Sequence, residues 1–457
     1  MFKKVLIANR GEIALRIIRA CRGLGIATVA VYSQADADSL HVTLADEAYC
    51  IGPAEASKSY LHIPAIISVA LTSGADAIHP GYGFLSERAD FADICAQHNI
   101  KFIGPSADSM KLLGDKASAR ETMQNAGVPI IPGTSIISDP QEIIDFSKKV
   151  GYPLIIKATA GGGGRGMRVV WEDSAVQDAF ELCSKEALAA FGNGDVYCEK
   201  YIQNPRHVEV QILADSKGNV IHLGERDCSL QRRHQKLLEE APCSVINDEI
   251  RKKMGEAAVL AARASNYESA GTIEFLLDEH GLKTPENPSG KYFYFMEMNT
   301  RVQVEHCVTE MVTGIDIVRE QIQIAQGKKL SYKQHDVKIL GHAIECRINA
   351  ENPEKNFMPS AGKIEGYIAP GGYGVRIDSH IYTGYSIPPN YDSMIGKLIC
   401  FGRTREEART RALRALEEYV ILGIKTTIPF HKRILDSEEF QSADFDTSFI
   451  EKLLSEQ

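Results

Sequence analysis

The chain has 457 residues, which at about 150 residues per domain leaves room for about three domains. Hydrophobic residues make up 44% and charged residues 24%, proportions typical of a folded globular protein and not of a disordered one. The 51 lysines and arginines against 60 acids give a net charge of −9, which argues against a generally basic nucleic-acid or membrane-surface binder. A local basic site stays compatible with this balance.

The cysteines and the first residues of the chain predict the cellular compartment. The ten cysteines, from Cys21 to Cys400, form no C-x-x-C pair, so neither a zinc ribbon nor a disulfide framework is indicated. The apolar run before Arg10 is too short for the core of a signal peptide, and no run of about 18 apolar residues predicts a membrane span. We therefore expect reduced thiols and a cytoplasmic location.

The first part of the chain alternates short buried strands with helical stretches. Strands are predicted at 4–8, 26–32, 75–79 and 101–104, and a helix over 12–24 follows the first strand. This alternation predicts a parallel, doubly wound α/β sheet. The first turn runs from Asn9 to Ile13 and lacks G-x-G-x-x-G, so we expect a Rossmann-like shape that does not bind NAD.

The later chain has a different pattern. Around Gly114 the pattern changes to a helix and then to the turn-rich stretch 128–133, which suggests a domain boundary. Strands and helices then mix in α+β fashion to about Leu330. Strands and turns dominate from 342 to 400, and a charged helix is predicted over 405–419.

A glycine-rich loop at 161–166 lies between predicted strands at 153–158 and 167–171. Glycine backbone can approach phosphate oxygens closely, and Lys157 and Arg165 would supply positive charge. The loop is not a Walker loop, because no G-K-[ST] follows and a strand comes next. We interpret it as a phosphate-binding loop; the alternative is a flexible hairpin tip.

A second nucleotide-binding feature is predicted at Val196–Ile202. Glu199 could accept a hydrogen bond from an adenine amino group while the neighbouring backbone contacts the ring edge. Taken alone, this stretch would be an ordinary edge strand.

The most informative stretch runs from Phe293 to His306. Five polar residues alternate with apolar ones there, so an extended chain would place all five on one face: Glu297, Asn299, Arg301, Gln303 and Glu305. A solvated strand face is the alternative. Solvated faces usually carry interchangeable polar residues, however, and this one opposes an apolar face, so we favour a functional surface.

These polar residues suit a metal ion and an anion. Glu274 lies in the apolar strand 271–277, where an acid is costly unless it is paired or coordinates a cation. Glu274, Glu297 and Asn299 offer the hard oxygen ligands that Mg²⁺ prefers in nucleotide sites. Arg301 can hold a small planar anion, and Glu305, further along the same face, is placed to take a proton.

A run of cations follows the alternating stretch 207–211. Between Glu225 and Lys236 the chain concentrates these cationic residues: Arg226, Arg232, Arg233, His234 and Lys236. An anionic ligand would explain the concentration, since attraction to a phosphate or carbonate is strong in a closed cleft. A salt-bridged surface loop, with Glu239 and Glu240 nearby, explains it equally well.

With these residues in place, the sequence closely resembles biotin carboxylases, the ATP-grasp components of biotin-dependent carboxylases. The resemblance covers nearly the whole chain. It rests on these segments: Ile7–Ala14, His79–Glu87, Gly161–Met167, Gly224–Arg233, Glu297–Arg301 with Gln303–His306, and Tyr391–Lys397.

The resemblance implies site roles residue by residue. ATP would be bound by Lys116, Lys157, Gly163, Gly164, Glu199, Lys200, Tyr201, Ile202, His207, Gln231, His234, Glu274 and Glu297. Magnesium or manganese would be held by Glu274, Glu297 and Asn299, and bicarbonate by Lys236, Arg301, Gln303 and Val304. Glu305 would be the general base, and Arg347 would meet the biotin ring.

It also implies three domains and a reaction. The domains would be an N-terminal Rossmann-like pre-ATP-grasp domain (1–114), an ATP-grasp domain (115–330) with a mobile lid at about 131–202, and a C-terminal biotin carboxylase domain (331–457). The reaction would carboxylate biotin with ATP and bicarbonate through carboxyphosphate.

Partners follow from the same resemblance. Biotin would arrive on a separate biotin carboxyl carrier protein, because the only Met-Lys dipeptide, at Met110, lies in a helical stretch. We also expect a separate carboxyltransferase as a partner and a homodimer as the assembly, with neither nucleic acid nor a membrane as partner.

The pathway has alternatives. The first choice is acetyl-CoA carboxylase in fatty acid synthesis, followed by pyruvate carboxylase or another acyl-CoA carboxylase. More distant alternatives are another ATP-grasp ligase, such as one that acts as carbamoyl-phosphate synthetase does, and a non-catalytic nucleotide sensor. One departure from the family is a longer connection at 278–290, which we expect to be a surface excursion.

Overall fold

The computed structural model describes residues 1–158, 167–191, 193–281 and 290–456, without the side chains of residues 116, 117, 190 and 191. Within these residues the chain divides into two compact units. The larger unit comprises Met1–Val128, Arg206–Leu276 and Met296–Gln457, and the smaller unit comprises Pro129–Pro205 and Leu277–Phe295. Among the described helices, none combines the length and the apolar character that a bilayer crossing demands.

The helices are α1 (Gly11–Gly23), α2 (Leu40–Leu44), α3 (Ile63–Ser73), α4 (Ala89–Gln97), α5 (Ala107–Gly114), α6 (Lys116–Asn125), α7 (Pro140–Val150), α8 (Val176–Phe191), α9 (Asp248–Ala264), α10 (His306–Thr313), α11 (Ile317–Ala325), α12 (Arg405–Glu418), α13 (Ile428–Asp436), α14 (Glu438–Ser442) and α15 (Phe449–Ser455). The first strands are β1 (Lys4–Ile7), β2 (Ala27–Ser33), β3 (Glu47–Gly52), β4 (Ala77–His79), β5 (Lys101–Phe102), β6 (Leu154–Ala158), β7 (Met167–Val170), β8 (Val196–Lys200), β9 (Arg206–Ala214), β10 (Val220–Arg232) and β11 (Gln235–Ala241). The remaining strands are β12 (Ser269–Asp278), β13 (Tyr292–Asn299), β14 (His342–Asn349), β15 (Glu351–Asn352), β16 (Met358–Pro359), β17 (Gly362–Lys363), β18 (Gly366–Ile368), β19 (Val375–Ser379), β20 (Ser386–Ile387), β21 (Met394–Gly402) and β22 (Val420–Leu422).

The predicted parallel sheet is confirmed in the N-terminal region. Its strand order is β3-β2-β1-β4-β5, with parallel pairing throughout. Alternate residues of β1 point to opposite faces, as a strand buried on both sides requires. Val5 and Ile7 pack in one core cluster with α1, while Leu6 packs in another with α3 and α4. β3 is a strand that the sequence analysis did not predict.

A second sheet runs through the rest of the larger unit. Its strand order is β13-β12-β9-β10-β11-β14-β21-β19. β11 pairs antiparallel with β14, so the sheet continues across the predicted boundary at residue 330. The mixed α/β and α+β class predicted from the sequence is confirmed.

The smaller unit has its own sheet and core. Strands β7, β6 and β8 form an antiparallel sheet, against which α8 packs. Its core includes Leu154, Ile156, Val170 and Cys198, all buried. The predicted glycine loop at 161–166 lies outside the described residues.

One prediction is wrong. The stretch 297–305 is not a continuous strand, because β13 ends at Asn299 and the chain then turns. Glu305 is the N-cap residue of α10. Beyond Asn299 the alternation does not separate buried from exposed side chains, because Val302, Gln303 and Glu305 are all buried.

Candidate active site

Lys236 is the centre of a buried charged cluster in the larger unit. It is the second residue of β11, and its Nζ donates to Glu209 Oε2 at 2.7 Å, Glu305 Oε1 at 2.7 Å and Glu274 Oε1 at 3.1 Å. Burial lowers the pKa of Lys236, but attraction to Glu209 and Glu305 outweighs it and raises the pKa well above its ordinary value. The side chain is therefore a permanent cation among three acids.

Arg347 contacts Glu305 from another side. Its Nη2 lies 2.9 Å from Glu305 Oε2, and its Nε donates to Glu239 Oε1 at 2.5 Å. Burial raises the pKa of Glu305, but attraction to Lys236, Arg347 and Arg226 lowers it well below the usual range. Glu305 is thus an ionised, fully buried carboxylate between two cations: it is in the form that can receive a proton, while the same two cations make it a weak base.

Glu239 is a buried carboxyl group that was not among the predicted site residues. Burial raises the pKa of Glu239 to about 7, against the attraction of Arg347. β11 pairs with β14 so that Glu239 lies opposite Glu345, two residues before Arg347. Strand pairing, and not sequence proximity, brings this acid to Arg347.

Arg301 is held in the turn after β13. Its guanidinium donates to Asn299 Oδ1 at 2.9 Å, Gln303 Oε1 at 2.8 Å and Glu87 Oε2 at 3.1 Å. Glu87 also accepts from the Thr300 backbone N–H at 3.1 Å. These bonds fix the orientation of the Arg301 guanidinium, which was predicted to bind an anion.

Glu274 connects the cluster to a candidate metal site. One of its oxygens accepts from Asn299 Nδ2 at 2.8 Å and Gln303 Nε2 at 3.1 Å, and the other lies 3.0 Å from His207 Nε2. Burial raises the pKa of Glu274, but attraction to Lys236 and hydrogen bonding to His207 lower it far below the usual range. The ionised carboxylate of Glu274 and the nearby amide oxygen of Asn299 are ligands of the kind that Mg²⁺ or Mn²⁺ prefers.

Glu297, the third predicted metal ligand, is partly exposed on β13. Among the described residues, Glu209 and His207 also lie with Glu274 in a group whose ligand atoms are all within 4.8 Å of one another. The donor set thus fits a hard cation, with Glu209 as an additional oxygen donor that the sequence analysis missed.

His207 and Gln231 face each other on neighbouring strands. Gln231 Nε2 lies 2.6 Å from His207 Nδ1 and donates to the Cys228 carbonyl at 2.8 Å. His234 occupies the turn between β10 and β11, where it is exposed and has a positive φ of 64°. The structure therefore brings His207, Gln231 and Glu274 together and leaves His234 at the tip of a hairpin.

In the smaller unit, Lys157 and Glu199 form an ion pair. They lie on the adjacent antiparallel strands β6 and β8, and Lys157 Nζ is 2.6 Å from Glu199 Oε2. Lys200 instead donates to the backbone carbonyls of Gly151 at 3.2 Å and Tyr152 at 2.9 Å, and burial lowers its pKa.

The structure describes the other predicted nucleotide-binding residues to different extents. Ile202 is buried, and the Tyr201 backbone N–H donates to the Pro153 carbonyl at 3.1 Å. Lys116 begins α6, but its side chain is outside the described part, as are Gly163 and Gly164 altogether.

Arg226 does not belong with the anion-binding cations. It is fully buried and donates to Glu209 Oε1 at 2.5 Å, Gln211 Oε1 at 2.8 Å and Thr309 Oγ1 at 3.0 Å. A guanidinium with these partners holds the acids of the site in place.

Family models match most of the chain. The model described as biotin carboxylase, N-terminal domain, matches residues 1–110, and the biotin carboxylase C-terminal domain model matches residues 345–452. The carbamoyl-phosphate synthase L chain, ATP binding domain, matches residues 115–333.

Individual proteins show the same similarity over full length. The chain is 59% identical over 452 residues to Biotin carboxylase 1 of Bacillus subtilis, covering 99% of this chain and 98% of that protein. It is 54% identical to a pyruvate carboxylase subunit of Methanothermobacter thermautotrophicus, covering 99% of this chain and 90% of that protein. The crystal structure of the 2-oxoglutarate carboxylase biotin carboxylase domain dimer of Hydrogenobacter thermophilus, with MgADP, ADP and bicarbonate, has a TM-score of 0.84 and 50% identity, covering 99% of both chains.

The ATP-binding domain and the buried carboxylate site define an ATP-dependent ligase. The chain belongs, more particularly, to the biotin carboxylase family.

Proposed function

We propose that this chain carboxylates biotin on a carrier protein as the first half-reaction of acetyl-CoA carboxylase. The observation that carries the catalytic part is the buried carboxylate of Glu305, held 2.7 Å from Lys236 Nζ and 2.9 Å from Arg347 Nη2. A general base between two cations fits a reaction whose substrates are a bicarbonate anion and a ureido group that becomes negative.

The first step activates bicarbonate. Glu305 takes the hydroxyl proton of bicarbonate, and the resulting oxygen attacks the γ-phosphorus of ATP while the bond from that phosphorus to the β-phosphate oxygen breaks. ADP and carboxyphosphate form. Lys236 and Arg301 would meet the negative charge of the reacting anions, with Gln303 and Val304 completing the bicarbonate site.

The second step transfers the carboxyl group. Carboxyphosphate breaks down to carbon dioxide and phosphate, the phosphate removes the proton from the ureido nitrogen, and that nitrogen attacks carbon dioxide. Arg347 would stabilise the negative charge on the ureido oxygen. Glu239, which shares Arg347 with Glu305, sets the position of this guanidinium.

The proposal extends to nucleotide and metal binding. ATP would be bound by Lys116, Lys157, Gly163, Gly164, Glu199, Lys200, Tyr201, Ile202, His207, Gln231, His234, Glu274 and Glu297. Glu274, Glu297 and Asn299 would hold Mg²⁺ or Mn²⁺, which neutralises phosphate charge in such reactions. Lys200 would have to leave the carbonyls of Gly151 and Tyr152 to reach a phosphate.

ATP turnover tests this proposal. Purified protein with MgATP should release ADP rapidly only when bicarbonate and free biotin are both present. Omitting either substrate is the control. Equal ADP release without biotin would contradict biotin as the acceptor, and equal release without bicarbonate would contradict carboxyphosphate.

The proposal also names the final carboxyl acceptor, acetyl-CoA. The proteins similar to this chain carry names of both kinds, biotin carboxylase and a subunit of pyruvate carboxylase. Purification from the native cell should recover a biotin carrier and a carboxyltransferase that acts on acetyl-CoA. Recovery of a carboxyltransferase acting on pyruvate or another acyl-CoA would replace acetyl-CoA carboxylase.

Three further features belong to the proposal. The division into domains at 1–114, 115–330 and 331–457 is supported by the neighbouring limits of the three family matches, and the lid at about 131–202 is proposed from the family resemblance. A homodimer is supported by the dimer of the Hydrogenobacter thermophilus domain. A cytoplasmic location is supported by the ten cysteines, all within the described residues and all free of disulfide bonds.

A further inference from the structure

Three of the segments that resemble the family carry none of the proposed ligand contacts, and two of these three meet in one buried contact. These two are Ile7–Ala14, at the start of α1, and Tyr391–Lys397, at the start of β21. The structure brings them together in one buried ion pair, with Lys397 Nζ 3.3 Å from Glu12 Oε1. Lys397 is 0% exposed and Glu12 is 3% exposed.

Lys397 has a second and closer contact. Its Nζ donates to the backbone carbonyl of Val304 at 2.7 Å and lies 3.2 Å from Cys307 Sγ. The carbonyl of Val304 belongs to the peptide group that links Val304 to Glu305. A buried, charge-assisted hydrogen bond to this carbonyl therefore restrains the backbone from which the Glu305 side chain projects.

Two paired strands of the sheet supply the contacts to the side chain and to the backbone of Glu305. Lys397 on β21 lies directly opposite Arg347 on β14. Arg347 contacts the carboxylate of Glu305 at 2.9 Å, while Lys397 contacts the peptide group at its backbone. Two adjacent cations on a rigid sheet thus hold one residue at its side chain and at its main chain.

A fully buried ammonium is costly unless it is paired and hydrogen-bonded. Glu12 supplies the opposite charge, and Glu12 itself accepts a hydrogen bond from Tyr82 Oη. The N-terminal segment thereby stabilises the cation that holds the Val304–Glu305 peptide. An apolar side chain at position 397 would fill the space without restraining that peptide group.

We propose that Lys397 is a positioning residue for bicarbonate activation, acting through the Val304–Glu305 peptide group with Glu12 as its counter-charge. This inference rests on the proposed function, in which Val304 helps to bind bicarbonate and Glu305 removes its proton. Lys397 itself is fully buried and is not among the residues proposed to contact substrate. Its loss should affect bicarbonate use more than nucleotide binding.

The test compares steady-state kinetics of wild type, Lys397→Met and Lys397→Arg. Lys397→Met should raise the KM for bicarbonate at least tenfold and change the KM for MgATP less than twofold. Lys397→Arg, which keeps a donor and the charge, should recover part of the loss. Arg409→Met is the matched control, because Arg409 is also a buried cation that donates to a backbone carbonyl, that of Leu435 at 2.8 Å.

The outcomes separate this inference from the proposed function. Wild type without bicarbonate- and biotin-dependent ADP release would contradict the proposed function. The positioning role would be overturned if the wild type is active and folded Lys397→Met has an unchanged KM for bicarbonate. Equal rises in the KM for bicarbonate and the KM for MgATP would overturn it as well. If Lys397→Met does not fold, Glu12→Gln decides: a rise of about threefold or more in bicarbonate KM alone supports the role, and wild-type kinetics overturn it.

Discussion

Lys236 Nζ and Glu305 Oε1 lie 2.7 Å apart within a buried charged cluster. The same ammonium also contacts Glu209 and Glu274, so three carboxylates share one cation. Bicarbonate, the proposed substrate, is an anion, so binding it here calls for positive charge beyond that of Lys236. Arg301 and Arg347 provide the further positive charge.

Glu305→Gln should abolish biotin carboxylation and leave MgATP affinity nearly unchanged. The amide keeps the size of the side chain but cannot accept the bicarbonate proton, and a positioned base contributes about 10²- to 10⁴-fold to rate. The measurements are carboxylation rate and equilibrium nucleotide binding. Wild-type turnover in this variant would remove Glu305 from the mechanism.

Glu239→Gln should change the pH dependence of stability in a defined direction. The pKa of Glu239 is raised by burial to about 7, so its contribution to stability is present below its unfolded pKa of about 4.3 and is lost as pH rises through 7. Relative to wild type, the variant should therefore gain stability as pH rises from about 4.3 to about 7, by up to about 1.4 kcal/mol per pH unit. Thermal unfolding across this range measures it, and parallel curves would contradict the raised pKa.

Buried histidines should make the protein sensitive to mild acid. Burial lowers the pKa of five of them, to about 4 for His41 and His431 and to about 3 for His79, His306 and His380. The unfolded chain takes up these protons below about pH 6.5, while the folded chain does not, so stability should fall as pH drops from about 6.5 towards 4.

His431→Gln tests one contribution to this acid sensitivity. His431 Nε2 lies 2.7 Å from the Arg347 carbonyl, and glutamine retains a donor for that position. The variant should lose less stability than wild type between about pH 6.5 and pH 4.5 in thermal unfolding. An identical pH dependence would show that His431 is not a neutral buried group.

Gly81 and Gly83 form a matched pair in the turn after β4. Both have positive φ, 64° and 68°, so alanine at either position costs about 1 kcal/mol in backbone strain. A Cβ at Gly81 would in addition lie 2.9 Å from Asn9 Nδ2, whereas nothing lies within 4 Å at Gly83. Asn9 Nδ2 donates to the Pro80 and Tyr82 carbonyls at 2.7 Å each, so a shift would disturb these bonds.

Gly81→Ala should therefore lower the free energy of unfolding by about 1–2 kcal/mol more than Gly83→Ala does. Chemical denaturation of the two variants measures the difference. Equal losses would show that Asn9 moves without cost.

The sequence predicted the parallel N-terminal sheet apart from β3, and it indicated which residue types could carry the chemistry. The apolar run at 4–8 predicts a strand buried on both faces, and the acids at 274, 297 and 305 with the cations at 236 and 301 indicate metal and anion chemistry. Side-chain type belongs to each residue alone, and the hydrophobic period depends only on residues close in sequence. Both can therefore be read from the sequence.

Which charged groups meet depends on the tertiary structure. Glu87 contacts Arg301, Glu239 contacts Arg347 and Glu12 contacts Lys397, over sequence separations from about a hundred to nearly four hundred residues. It also showed that Glu305 lies at a helix start and not on a strand, and that Arg226 is buried among the acids of the site. Strand pairing and sheet packing set these distances, and ion pairs depend on distance and burial more than on residue type.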